Sequence, residues 1–141
     1  MSADPVPAPA HRLALRVYYE DTDLAGIVYY ANYLRFIERG RSEWVRGLGI
    51  DQTALREAQG IVFAVRRVEA DFLSPARFDD QLQVATLPLM VSGARIILDQ
   101  RVERAEVVLF AARVTLVALG RDGRPARLDS ALRARLSAAL A

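Results

Sequence analysis

The chain has no cysteine and no lysine, and its single histidine, His11, stands near the start. Without cysteine there can be no disulfide, no thiolate nucleophile and no cysteine-based metal site. One histidine cannot supply a multi-histidine metal site within one chain. A Ser-His-Asp triad would have to recruit His11, and no Gly-x-Ser-x-Gly occurs to carry the nucleophile. An enzyme of this composition, working without a borrowed cofactor, leaves its acid–base chemistry to Asp, Glu or Tyr. Neither a cofactor nor a metal is expected. The net charge is only +2, which does not indicate nucleic acid as a partner. All 19 basic residues are arginine, a bias that codon usage explains as readily as phosphate recognition. Long apolar runs are also missing, because Arg113 and Thr115 interrupt the richest stretch. Residues 1–10 lack the basic start and apolar run of a signal peptide. The expectation is a soluble, cytoplasmic protein without a membrane span.

What the chain does have is apolar material in regular patterns. Of its 141 residues, 52% are apolar, enough for a sizeable core at the length of one domain. Residues 1–11 read as a flexible tail with Pro5, Pro7 and Pro9 among small residues. Residues 12–141 read as a single domain without repeats. Leu13, Leu15, Val17 and Tyr19 alternate with other residues and predict a strand over 12–20. Phe36, Ile37, Gly40, Trp44 and Leu48 recur at helical spacing and predict a long helix over 31–48. Its apolar stripe is broad, as in a helix wrapped by a sheet. Phe36 and Trp44 read as core. Gly40 costs about 1 kcal/mol against Ala in mid-helix, which points to close approach of another backbone. Glu38, Arg39, Arg41 and Glu43 read as a solvated face, and Gly47 and Gly49 as the helix end.

Residues 51–59 read as a short helix or irregular connector. Four strands follow, over about 61–73, 81–90, 94–104 and 107–119. The first of these changes phase at Arg66-Arg67, where a bulge would keep both halves facing inward. Pro88 points to an edge or a strand end. The strand over 107–119 is apolar almost throughout, so it is expected to be central and covered on both faces. Residues 129–140 read as a short helix capped by Asp129, with Leu132, Leu136 and Leu140 on one side. The order is α+β, an antiparallel sheet around one long helix.

One stretch has chemical content. Between the first strand and the long helix lie Glu20, Asp21, Asp23 and Gly26, and Asn32 offers the side chain of an N-cap. A strand thereby delivers carboxylates to the front of a helix, where open N–H groups and the positive dipole end are available. An acid or base beside an oxyanion site is a hydrolase-like arrangement. Taken alone, Asp-x-x-Gly is more often an ordinary turn.

The longer pattern is more specific. Arg16-Val17-Tyr18-Tyr19-Glu20-Asp21-Thr22-Asp23, Gly26-x-Val28-Tyr29, Tyr33 and Glu38-Arg39-x-Arg41-x-Glu43 resemble the hotdog-fold acyl-CoA thioesterases. The likeness is greatest to the tol-pal system-associated, YbgC-type branch, related to the 4-hydroxybenzoyl-CoA thioesterases. It continues through Phe63-Ala64-Val65-Arg66-Arg67 and Ser74-Pro75-Ala76-Arg77-Phe78-Asp79-Asp80 to Gly123-Arg124-Pro125. The resemblance implies a five-stranded antiparallel sheet wrapped around one long central helix, assembled as a homodimer or homotetramer with sites between subunits. It implies Asp23 as the catalytic carboxylate and the Tyr30 backbone N–H as oxyanion donor. Gly26 and Tyr29 fall beside them in the substrate-binding group, with Tyr18 and Tyr29 open between pocket lining and packing. Arg66 and Arg67 are candidates for the CoA phosphates, Arg95 and Arg121 weaker ones. The chain departs from the pattern at Tyr30, where many close members have His. The resemblance leaves room for peripheral association with the inner membrane.

Two other readings compete with hydrolysis of acyl-CoA. One is a non-catalytic hotdog module that binds acyl carrier protein or lipid-synthesis enzymes. The other, a hotdog dehydratase, needs a placed histidine, and this chain has none outside the tail. Carrier protein also stands beside CoA as an alternative thiol carrier for the hydrolase.

Overall fold

The computed structural model describes residues 8–140. Its elements are β1 (His11–Arg16), a 3-10 turn (Tyr19–Asp21), α1 (Asn32–Gly47), α2 (Gln52–Gln59), β2 (Val62–Phe72), β3 (Gln81–Val91), β4 (Arg95–Arg104), β5 (Val107–Leu119) and α3 (Ser130–Ser137). The five strands form one sheet in the order β1-β3-β4-β5-β2, and every neighbouring pair is antiparallel. α1 packs on β1, β3 and β4. This is the hotdog arrangement.

Residues 1–7 of the expected tail lie outside the described residues. His11 opens β1 opposite Thr86, so the sheet begins one residue before the predicted strand. That strand also ends early, at Arg16 instead of residue 20. The Asp21 carboxylate accepts the Tyr18 N–H at 2.8 Å and closes a 3-10 turn over Tyr19–Asp21. A local side-chain bond has displaced the strand ladder.

The core lies between α1 and the sheet. Phe36, Ile37, Trp44 and Val45 meet Leu82, Val84, Leu98, Val102 and Phe110 in one buried cluster. Each large side chain so buried contributes about 1.5–3 kcal/mol. Gly40 marks the closest approach, but to side chains and not to backbone: a Cβ there would overlap Val84 Cγ1 and touch Thr86 Oγ1. Below it, Gln100 is fully buried and donates to the Ile37 carbonyl at 2.8 Å and to Thr86 Oγ1 at 2.9 Å. Arg41 reaches its amide oxygen at 3.5 Å. The sequence placed Arg41 on a solvated face, but it is half-buried, and desolvation lowers its pKa against the opposing effect of Glu38.

The bulge at Arg66 is present, with the β2–β5 register shifting between Val65 and Arg67. It puts Phe63 and Val65 opposite Ala118 and Leu116, and Val68 and Phe72 opposite Val114 and Phe110. Both halves therefore face inward, as the pattern required. They are not covered, however, because β2 is an edge strand: Val65, Val68 and Phe72 are 46%, 37% and 53% exposed. β5 is interior but not the middle strand. Its inner face is buried, while Ala111, Thr115 and Val117 on the other face are half-buried and Arg113 is exposed. Coverage of both faces was the wrong expectation, and the apolar run reflects small and β-branched residues on a partly open surface. Pro88 lies in β3 beyond Thr86, where β1 no longer pairs with it, and the β3–β4 register shifts just after it.

Asp51 and Asp129 cap α2 and α3 by accepting the Ala54 and Leu132 N–H groups. α3 stops at Ser137, so Leu140 falls outside the helix and is exposed.

Candidate active site

Three connections meet in front of α1. The first is a small hairpin. Thr22 bridges Val28, the Asp23 N–H donates to the Ile27 carbonyl at 2.9 Å, and the Gly26 N–H donates to the Asp23 carbonyl at 3.0 Å. Gly26 sits at φ +78°, left-handed backbone that closes a three-residue hairpin loop and favours glycine. Asp23 Oδ1 accepts the Ala25 N–H at 2.9 Å, while Oδ2 has no partner among the described residues. The residue is exposed.

The second is the helix front. Ala31 precedes α1 in helical conformation, and no side chain caps it. Asn32, the expected cap, is the first helical residue, and its Nδ2 donates to the Asp21 carbonyl at 2.9 Å. The same carbonyl accepts the Tyr29 N–H at 2.9 Å. Asn32 thus ties hairpin to helix and leaves the cap position unused. The Tyr30 and Ala31 N–H groups have no acceptor among the described residues. Two donors stand open at the positive end of a 16-residue helix. The Tyr30 ring lies 5.0 Å from Tyr29 and 6.0 Å from Phe72, and both tyrosines are exposed.

The third is the loop over 74–80, which supports the other two. The Ala76 carbonyl accepts the Val28 N–H at 2.8 Å, and the Ala76 N–H donates to the Tyr33 hydroxyl at 3.0 Å. Asp80 fixes the loop by accepting the Arg77 N–H at 2.8 Å and Arg104 Nη1 at 2.7 Å. Burial works to raise the Asp80 carboxyl, but the Arg77 N–H and the Arg104 guanidinium prevail and hold it below the usual carboxylate range. Tyr33, Asn32, Ala76 and Asp80 carry none of the predicted roles. Tyr33 belongs to the motif that carries the resemblance, but the role of its hydroxyl was not legible because the residue also fits the apolar stripe, and only tertiary contact gives it a partner.

The structure brings Asp23, Gly26, Tyr29 and Tyr30 together. It does not bring Arg66 and Arg67 to them within one protomer. Tyr30 packs on Phe72, and Arg66 stands six residues away along β2, about 20 Å at ordinary strand rise. Arg67 pairs with Glu69 at 3.0 Å. Arg121 covers Gly60 and donates to the Glu57 carbonyl, which makes it a packing residue of α2. Arg95 opens β4, exposed. A groove of about 940 Å³ runs along β1 and β3 past Arg12, Arg16 and Glu103, away from the Asp23 hairpin.

An exposed carboxylate with one free oxygen, held beside an uncapped helix front, can activate or attack while the helix holds an oxyanion. The fold is the hotdog fold, and this arrangement is one that suits hydrolysis. A sequence profile of the thioesterase-like superfamily matches residues 17–136. The chain belongs to that superfamily, on its YbgC-type branch. It is 43% identical to the acyl-CoA thioesterase YbgC of Haemophilus influenzae over 109 residues, 76% of this chain and 80% of that one. It is 40% identical to the acyl-CoA thioester hydrolase YbgC of Escherichia coli over 106 residues, 75% and 78% of the two chains. Among solved structures, a probable thioesterase from Bartonella henselae superposes with a TM-score of 0.81 at 38% identity, covering 84% of this chain and 98% of that one. A Thermus thermophilus thioesterase complexed with coenzyme A and zinc superposes with a TM-score of 0.79 at 27% identity, covering 94% and 96%. No helix among the described residues is long and apolar enough to cross a membrane.

Proposed function

We propose that this acyl-CoA thioesterase works through Asp23 and the open front of α1. The observation that carries the reading is the pairing of a carboxylate oxygen without a partner and two N–H donors without acceptors, on connections tied together at the Asp21 carbonyl. In the general-base route, Asp23 takes a proton from water as its oxygen attacks the thioester carbon. In the nucleophilic route, Asp23 attacks directly and forms an anhydride that water then opens. In both, the carbonyl oxygen becomes an oxyanion facing the Tyr30 N–H, a type of contact worth about 3–4 kcal/mol of barrier. The C–S bond breaks, and CoA leaves as a thiolate that needs little help from an acid. The phenol of Tyr30 is not required, because the main chain does the work at that position. Gly26 gives the substrate room beside the carboxylate, since nothing stands within 4 Å of where its side chain would be. Tyr29 lines the approach.

The working unit in this reading is a homodimer joined at β2. An 11-residue edge strand with inward-facing Val65, Val68 and Phe72 uncovered is a template for a second strand. The similar Thermus thermophilus protein was crystallised with coenzyme A, and Arg66 and Arg67 at this seam are assigned to the CoA phosphates. The cytoplasm, where acyl-CoA is available, is the assigned location. The test is release of free thiol from a panel of acyl-CoA chain lengths and aromatic acyl-CoAs by the purified protein. Turnover on at least one member is expected. Absence of hydrolysis across the panel, with stable binding of acyl carrier protein, would instead mark a binding module.

A further inference from the structure

We infer that Tyr33 is a positioning residue, whose hydroxyl sets the Asp23 hairpin against the open N–H groups at the front of α1. This rests on the site proposed above and adds the part that holds it in register. Ala76 is fully buried and bonds two different pieces of the site. Its carbonyl takes the Val28 N–H at 2.8 Å, anchoring the hairpin strand that returns from Asp23. Its N–H gives to the Tyr33 hydroxyl at 3.0 Å, anchoring the first turn of the helix. Ile27 bridges Arg77 alongside, so the hairpin lies on this loop over two consecutive residues. Tyr33 itself cannot swing freely. Its ring stacks on Phe110 with centroids 5.0 Å apart and planes 7° apart, and Phe36 and Phe72 meet it edge-on at 6.0 and 5.8 Å. Tyr30 is three residues earlier on the same chain turn. A shift of Tyr33 relative to Ala76 therefore moves the oxyanion donors relative to the carboxylate. Displacement of about 1 Å in such a pair costs up to about 100-fold in rate.

Tyr33→Phe keeps the ring stack and removes only the hydroxyl. The expected result is a fall of about tenfold in kcat with KM within about twofold of wild type. Ile96→Val, a buried change at the far end of β4, serves as the stability control. It is expected to lower Tm without lowering kcat, which separates positioning from loss of stability. Asp23→Asn is measured in the same assay. If Asp23→Asn loses turnover and Tyr33→Phe keeps wild-type kcat, the positioning role is overturned and the site stands. If Asp23→Asn keeps turnover, both fall. Should Tyr33→Phe fail to fold, amide exchange on the wild-type protein decides: protection of Ala76 and Val28 is expected to rise together on binding a non-hydrolysable thioether analogue of acyl-CoA. Unchanged protection overturns the inference.

Discussion

Asp23 and Asp80 lie on adjoining connections and have opposite circumstances. Asp80 spends its Oδ2 on the Arg77 N–H and on Arg104, so it is structural. Asp23 uses one oxygen to shape its own turn and keeps the other free. The pH dependence follows from Asp80. A carboxyl held below its unfolded value of about 3.9 contributes stability that is present above that value and is lost as pH falls through the folded pKa. Asp80→Asn is thus expected to lower Tm at pH 7 and to have a shrinking effect as pH drops below about 4. Thermal melts of both proteins from pH 7 to pH 3 check this. The residues legible in the sequence are the ones whose jobs are local. Asp23 and Gly26 fit a turn whose bonds span a few residues. Asn32 was misread because its amide bonds a carbonyl 11 positions away instead of capping its own helix. Ala76 and Tyr33 meet across 43 positions, and no local pattern encodes that.

At the scale of elements, period and punctuation carried α1, the bulge in β2 and the cap of α3, while the Asp51 cap of α2 was not read from the sequence. Coverage did not follow from period. An apolar strand looks the same whether it is buried by its own chain or lies on an open surface, which is why the coverage of β5 was misjudged and the exposure of β2 was not foreseen. Two predictions belong here. Gly40→Ala gains about 1 kcal/mol in helix propensity but drives a methyl into Val84, whose branched side chain has little freedom to yield. Overpacking costs about 1–3 kcal/mol, so a net loss of up to about 2 kcal/mol is expected in denaturant unfolding. The two-residue turn between β4 and β5 holds Ala105 at φ 48° and Glu106 at φ 71°. Such a hairpin turn favours Asn-Gly, and neither residue relieves the left-handed backbone. Glu106→Gly is expected to stabilise by up to about 1 kcal/mol, read as a higher urea midpoint at unchanged m-value.

At the scale of the whole molecule, the sheet has one edge at β1 and another at β2, and the latter carries its apolar face into the open. In the proposed dimer a second copy pairs there, gives those residues a partner and brings Arg66 and Arg67 to a shared seam. Val68→Arg places a charge on that face at a position already partly exposed, so the protomer is expected to stay folded. Sedimentation is expected to show a dimer for the wild type and a monomer for the variant, with turnover reduced by at least about tenfold as the proposed site between subunits is lost. A monomeric variant with full turnover would place the whole site within one chain. The central claim concerns the carboxylate itself, and one rate constant tests it. With the dimer verified in the same sample, kcat of Asp23→Asn on the best acyl-CoA substrate is predicted to fall at least about 100-fold, because the amide preserves the turn but neither accepts a proton nor attacks. A kcat within a few-fold of wild type would contradict the account.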